Sequence, residues 1–220
     1  MQPTQKPRVK ICCIRSVEEA WTAVRHGASA LGLVSHMPSG PGVIPDERIA
    51  TIAAAVPAPV ATFLLTCRQD AASIIDQQRR LRTNTLQICD RLQRGVYVEL
   101  REALPGVRIV AVVHVTGPAS VAEAEGVARE ADAILLDSGR PDQAVKELGG
   151  TGRRHDWTLS RRIREAVDVP VFLAGGITPE NAAKAVAAVG PFALDVCTGV
   201  RTDGRLDEKK LERLFAALEA

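Results

Sequence analysis

Eight short apolar runs, each followed by a segment with helical spacing, alternate along this chain, and that alternation constrains its fold more than any other feature. The runs are Val9–Cys13, Ala30–Val34, Val60–Leu65, Thr85–Ile88, Ile109–His114, Ala133–Asp137, Val171–Ala174 and Ala193–Val196. Most are nearly continuous in apolar residues, as expected of parallel strands covered on both faces. Between them, Ser16-Val17-Glu18-Glu19 has the pattern of a capping box, and Thr178-Pro179 that of an N-cap followed by proline at the first helical position. Ile49, Ile52, Ala53 and Val56 repeat at helical spacing, as do Ala182, Ala185, Val186 and Val189, and Leu211, Leu214, Phe215 and Leu218. Weaker helical patterns cover Ala71–Leu81 and Gly95–Leu104.

Such an order permits an open doubly wound sheet or a closed barrel. Eight units in 220 residues, without a Gly-x-Gly-x-x-Gly fingerprint after the first run, favour the barrel. The expected fold is α/β: a single-domain parallel (β/α)8, or TIM, barrel over residues 9–220, with 1–8 as a disordered or extended N-terminal segment. Aromatics are only 3% of residues against 46% hydrophobic overall, so the interior must be built from Ala, Val, Leu and Ile.

Charge excludes several partners. Lys and Arg number 28 and Asp and Glu 26, and the arginine doublets are scattered, so there is no footprint for nucleic acid. No apolar run approaches the ~20 residues that span a bilayer, and Met1 to Arg8 lacks the hydrophobic stretch of a signal peptide. Five cysteines without a Cys-x-x-Cys pair read as free thiols in a reducing cytoplasm. Nothing in the apolar pattern selects an oligomeric state.

In a barrel the loops after the strands form the reactive face. Three late loops are glycine-rich: Gly149-Gly150-Thr151-Gly152, Gly175-Gly176 and Thr198-Gly199. Glycine lets backbone N–H groups approach an anion, so three such loops at one end point to a phosphate site. Alternation places Lys10 and Cys12 on the axis face of the first run, Asp137 with Ala133 and Leu135 on the sixth, and Asp195 with Ala193 and Cys197 on the eighth. A carboxylate ending the apolar run Ile134-Leu135-Leu136-Asp137 is costly to desolvate unless it has a partner or a function.

These positions resemble the phosphoribosylanthranilate isomerase family of tryptophan biosynthesis. The resemblance rests on Lys10-Ile11-Cys12, the stretch Gly27 to Val34, Leu135-Leu136-Asp137 with Gly149 to Gly152 and Asp156-Trp157, Leu173 to Asn181, and Asp195 to Val200 with Asp203 to Asp207. It implies a cofactor-free Amadori rearrangement of an N-linked aminoaldose phosphate to a 1-amino-1-deoxyketose phosphate. By motif, Asp137 is the general acid that opens the furanose ring, and Cys12 is the general base that removes the C2′ proton. The chemistry therefore needs Asp137 protonated and Cys12 at least partly as thiolate. Asp195 would contact the sugar hydroxyls, and amides around Gly152, Gly175, Gly176, Thr198 and Gly199 would hold the phosphate.

The sequence departs from the family at the other end of the ligand. The family's Ser-Pro-Arg after its second strand, whose arginine meets the anthranilate carboxylate, is replaced by His36 to Gly42. Gln-Leu-His-Gly becomes Gln87-Ile88-Cys89-Asp90, the glycine after the reactive cysteine is Cys13, and a glutamate near the end is Arg201. Arg15, Arg68 and Arg201 are the candidate replacement cations. A paralogue isomerising another phosphosugar, and a non-catalytic phosphosugar binder, are the alternatives; retention of Cys12 and Asp137 counts against the binder. A metal held by Cys12, Cys89, His114 and Cys197 lacks local ligand spacing and is not expected, and His114 and His155 read as core or loop residues.

Overall fold

The computed structural model describes residues 7–93, 95–150 and 152–219. Residues 1–6 of the expected N-terminal segment, and Thr151 of the first glycine loop, lie outside the described residues.

Eight parallel strands close on one another in sequence order: β1 (Arg8–Ile11), β2 (Ala30–Val34), β3 (Ala61–Thr66), β4 (Thr85–Ile88), β5 (Arg108–His114), β6 (Ala133–Asp137), β7 (Val171–Leu173) and β8 (Ala193–Val196). Helices α1 (Val17–Arg25), α2 (Asp46–Ala55), α3 (Ala71–Leu81), α4 (Val96–Ala103), α5 (Ala119–Ala128), α6 (Trp157–Ala166), α7 (Ala182–Val189) and α8 (Glu208–Ala217) follow the strands in turn. After β8 a 3-10 turn over Thr198–Val200 leads into a small hairpin, β9 (Arg201–Thr202) and β10 (Arg205–Leu206). Among the described residues no helix is long and apolar enough to cross a membrane.

The two-residue period of each strand divides the core in two. Leu31, Leu33, Ile134 and Leu136 point outward into the layer beneath the helices, where Ile49, Ile52, Leu211 and Leu214 of the helical stripes bury completely. Ala30, Val34, Phe63, Val110, Ala133, Leu135 and Phe172 point inward and fill the barrel. Phe63 and Phe172 meet edge-to-face on the axis with ring centroids 5.6 Å apart.

Local signals and structure differ in instructive places. β1 stops at Ile11, two residues before the end of its apolar run, because Cys13 takes a left-handed φ of 62° that no strand continues. The Ser16 cap forms, Oγ accepting from the Glu19 N–H at 3.2 Å. The Glu19 carboxylate does not return that bond to Ser16. It accepts instead from the Arg15 N–H, the Leu206 N–H and the guanidinium of Arg201, tying α1 to the C-terminal hairpin. Helix α7 begins at Ala182, not at Pro179, since Asn181 turns its side chain back to the loop: Oδ1 accepts from the Thr178 N–H and Nδ2 donates to Gly176 O.

Arg201 is largely buried, and Glu19 is the carboxylate it pairs with, Nη1 to Oε1 at 3.1 Å. Removing that partner strands a buried cation, which costs about 3 kcal/mol or more. Glu19→Ala is expected to lower the unfolding free energy by that amount, read as a lower midpoint of urea unfolding at unchanged slope. A change under about 1 kcal/mol, the value of an exposed pair, would show that Arg201 does not depend on it.

Candidate active site

A cavity opens at the C-terminal ends of the strands. It is bordered by Cys12, Asp137, Gly152, Gly175, Gly176, Asp195 and Thr198 together. Gly199 does not border it. A Cβ there would stand 2.0 Å from the Ile177 carbonyl oxygen, so its bareness serves the packing of the β8 loop under the β7 loop.

The floor is built on Lys10, which has no solvent exposure. Its register partner on β8 is Asp195, and the two side chains meet on the axis, Nζ to Oδ2 at 2.9 Å. Nζ also lies 3.6 Å from the Cys12 sulfur and 5.1 Å from the Phe63 ring centroid. Burial alone would lower the Lys10 pKa, yet the charges of Asp195 and Cys12 raise it above the ordinary value, so the ammonium is retained. Burial pushes Asp195 upward while Lys10 holds it back. Its other oxygen, Oδ1, is buried without a partner, as is Gln87 Oε1. Both residues border the cavity, so an occupant's hydroxyl groups can satisfy them.

Cys12 stands one rung above the Lys10–Asp195 pair, its N–H donating to Val196 O at 2.8 Å. Its thiol pKa is lowered, first by the adjoining Cys13 thiol, whose own Sγ donates to Pro41 O at 3.7 Å, and then, against burial, by the ammonium of Lys10. Cys13 shifts the opposite way, raised by its bonds to Cys12 and Cys197 and by burial. Burial raises the Cys89 thiol as well. Of these neighbouring sulfurs, Cys12 alone is favoured as thiolate. Gly32, on the axis face of β2, makes the space: a Cβ there would lie 2.6 Å from the Cys12 sulfur and 3.2 Å from Lys10 Nζ.

Asp137 ends β6, three strands from β1 by the shorter way around the barrel. Its Oδ1 accepts from the Ser138 N–H at 2.7 Å. Gly149, at a φ of 140°, leaves room for Oδ2, which a Cβ would approach to 2.7 Å. That glycine accommodates the carboxylate. Gly152, Gly175 and Gly176 all have positive φ, and a Cβ on Gly176 would stand 2.9 Å from Gly152 O. Their bare backbones face the same end of the cavity as Thr198.

His155 sits beside Gly175 with Nε2 2.6 Å from Ser160 Oγ, and burial lowers its pKa, so it is neutral near pH 7. His114 packs under Gly139 with Nε2 3.2 Å from Cys89 O. Neither borders the cavity. Among the described residues no three His, Cys, Asp or Glu side chains are arranged to hold a metal.

With this geometry established, comparison with known proteins is specific. The model of the family described as N-(5'phosphoribosyl)anthranilate (PRA) isomerase matches residues 9–217. The chain belongs to this family. An N-(5'-phosphoribosyl)anthranilate isomerase of Methanocella arvoryzae is 33% identical over 208 residues, 94% of this chain and 95% of the relative. The crystal structure of the phosphoribosyl anthranilate isomerase from Thermus thermophilus superposes with a TM-score of 0.81 at 28% identity, covering 96% of this chain and 98% of that one. A phosphoribosyl anthranilate isomerase solved in complex with reduced 1-(o-carboxyphenylamino)-1-deoxyribulose 5-phosphate has a TM-score of 0.80 at 25% identity, covering 97% and 98%.

Four residues remote in sequence, Cys13, Glu19, Gly42 and Arg201, meet beside β1. A Cβ on Gly42, at a φ of 86°, would stand 2.5 Å from the Cys13 Cβ, so no side chain, arginine included, fits at 42 beside Cys13. A glutamate at 201 would face Glu19, whereas Arg201 pairs with it and donates to the carbonyls of Cys12 and Cys13 at 3.3 and 2.5 Å.

Because the Cys13 thiol is the first cause of the lowered Cys12 pKa, Cys13→Gly should move the inflection of Cys12 alkylation by iodoacetamide to higher pH. Stability should hold or rise by up to about 1 kcal/mol, since glycine accepts the left-handed φ without strain. An inflection that stays put or falls would remove Cys13 as the activating donor.

Proposed function

We propose that this chain is a phosphoribosylanthranilate isomerase, acting on a small phosphorylated aminoaldose without a cofactor. One observation carries the reading: a thiol biased toward thiolate and a carboxylate face one cavity from β1 and β6, with the glycine cradle at its end. Family membership supports the same reaction, and the ligand of the complexed relative is a phosphorylated ketose derivative of that product type.

The mechanism follows from what each group can do. Phosphate held by the amides of Gly152, Gly175, Gly176 and the turn at Thr198 fixes one end of the sugar. Asp137 donates its proton to the furanose ring oxygen; the C1′–oxygen bond breaks, and the nitrogen lone pair forms the Schiff base. The Cys12 thiolate then removes the C2′ proton, and the electron pair moves to make the enolamine, which tautomerises to the ketone. Asp195 Oδ1 and Gln87 Oε1 accept from sugar hydroxyls. Lys10 keeps its charge throughout, stabilising the thiolate before proton transfer.

Purified protein incubated with phosphoribosylanthranilate should convert it to the carboxyphenylamino-deoxyribulose phosphate. Cys12→Ser and Asp137→Asn should each lower kcat by about 10²- to 10⁴-fold, the usual weight of a positioned acid or base. Folded wild-type protein without turnover sinks the reading. Turnover untouched by both substitutions sinks the assignment of roles.

A further inference from the structure

The reaction assigned above has a substrate with two anionic ends, and the cavity provides for one of them. Among the described residues that border the cavity there is no lysine or arginine; Lys10 lies beneath it, held by Asp195. The second anion, an aryl carboxylate, therefore has no cationic partner inside. Its location follows from the chemistry. The carbon that loses its proton to Cys12 is bonded to the carbon that bears the nitrogen, and the ring is attached to that nitrogen. The carboxylate must then lie a few bonds from the Cys12 sulfur.

A second cavity lies next to the first, bordered by Cys13, Arg15, Pro41, Gly42, Thr198, Arg201 and Gly204. Cys13, Pro41 and Thr198 border both cavities, so the two are contiguous on the side next to Cys12. Two guanidinium groups and no carboxylate border it. Arg201, largely buried, is held by Glu19 and by the carbonyls of Cys12, Cys13 and Gly204, yet its Nε has no partner. Arg15 has its backbone N–H fixed to Glu19 at 3.0 Å, while its side chain is exposed and makes one long bond, Nη1 to Gly204 O at 3.4 Å. Most of its five donors remain available. With Glu19 balancing one guanidinium, a single positive charge is left over. The absence of a side chain at Gly42 keeps the cavity open.

Among the described residues no other lysine or arginine borders either cavity: Lys146 is bound to Asp90 at 2.6 Å, and Arg68 is exposed.

We infer that Arg15, backed by Arg201, forms a carboxylate subsite in this second cavity and receives the aryl carboxylate of the substrate. A planar guanidinium matches a carboxylate with two parallel hydrogen bonds, which a lysine cannot reproduce. The inference rests on the proposed isomerase activity. The site is formed by the loops after β1 and β8.

The test compares wild type, Arg15→Met, Arg15→Lys and Arg68→Met with phosphoribosylanthranilate, and measures competitive inhibition by anthranilate and by aniline. Arg15→Met should raise KM about 10- to 100-fold with kcat within about threefold, the signature of lost ground-state binding. It should also lose the wild-type preference for anthranilate over aniline. Arg15→Lys should recover only part of the loss, and Arg68→Met should match wild type. Thermal unfolding of Arg15→Met, an exposed position, confirms the fold. Wild-type turnover with an unchanged KM and inhibitor preference in Arg15→Met overturns the subsite alone, as does transfer of the loss to Arg68→Met. Wild type without turnover overturns the isomerase reading, and the subsite with it.

Discussion

A lysine with no solvent exposure sits on the barrel axis, and its ion pair with Asp195 sets the terms for everything above it. An unpaired ammonium at that depth would cost many kcal/mol, so Asp195 must stand at its register partner's position on β8 and carry charge. The same ammonium faces the Cys12 sulfur one rung higher, so one buried charge both holds the sugar-facing carboxylate and favours the thiolate. Gly32 on β2 is part of this arrangement, because any side chain there would collide with the sulfur and the ammonium. Lys10 and Asp195 thus lie on strands with Cys12 just beyond the end of β1, while Gly152, Gly175 and Gly176 lie in the loops above them.

Around that floor, residues remote in sequence meet at the mouth. Cys13, Gly42, Arg201 and Glu19 look unrelated along the chain, yet they meet above β1. The Cys13 side chain occupies the space a residue at 42 would need, and Arg201 binds the carbonyls of Cys12 and Cys13 while Glu19 neutralises it. The loop after β2 then crosses the mouth to the loop after β6, where Ser39 Oγ donates to Lys146 O at 2.7 Å and Pro41 covers Gly150.

Much of this was legible in the residues, for a physical reason. Strands buried on both faces must be apolar throughout, so β2, β4, β6 and β8 match their apolar runs residue for residue. The two-residue period then placed Lys10, Cys12, Asp137 and Asp195 on the axis. What escaped depends on contacts between segments remote in sequence. Gly149 reads as phosphate loop but makes room for Asp137, and Gly199 lies against Ile177 O away from the cavity. Asn181 delays α7 by bonding to Gly176 O and the Thr178 N–H, which no local capping rule anticipates. Gln87 and Gly32 share the axis face that alternation assigns, and that periodicity was the available signal for both. Arg201 reads as a free cation in sequence, and only its tie to Glu19 shows that it is committed.

In the proposed reaction one cavity holds the phosphate at the loops after β6, β7 and β8 and presents the neighbouring sugar carbons to Cys12 and Asp137. A crystal structure of this protein with the reduced carboxyphenylamino-deoxyribulose phosphate bound tests it directly. The account predicts phosphate oxygens within hydrogen-bond distance of the amides at Gly152, Gly175, Gly176 and Thr198, with C2′ over the Cys12 sulfur. Phosphate bound at the opposite side of the mouth, or C2′ out of reach of Cys12, would contradict it.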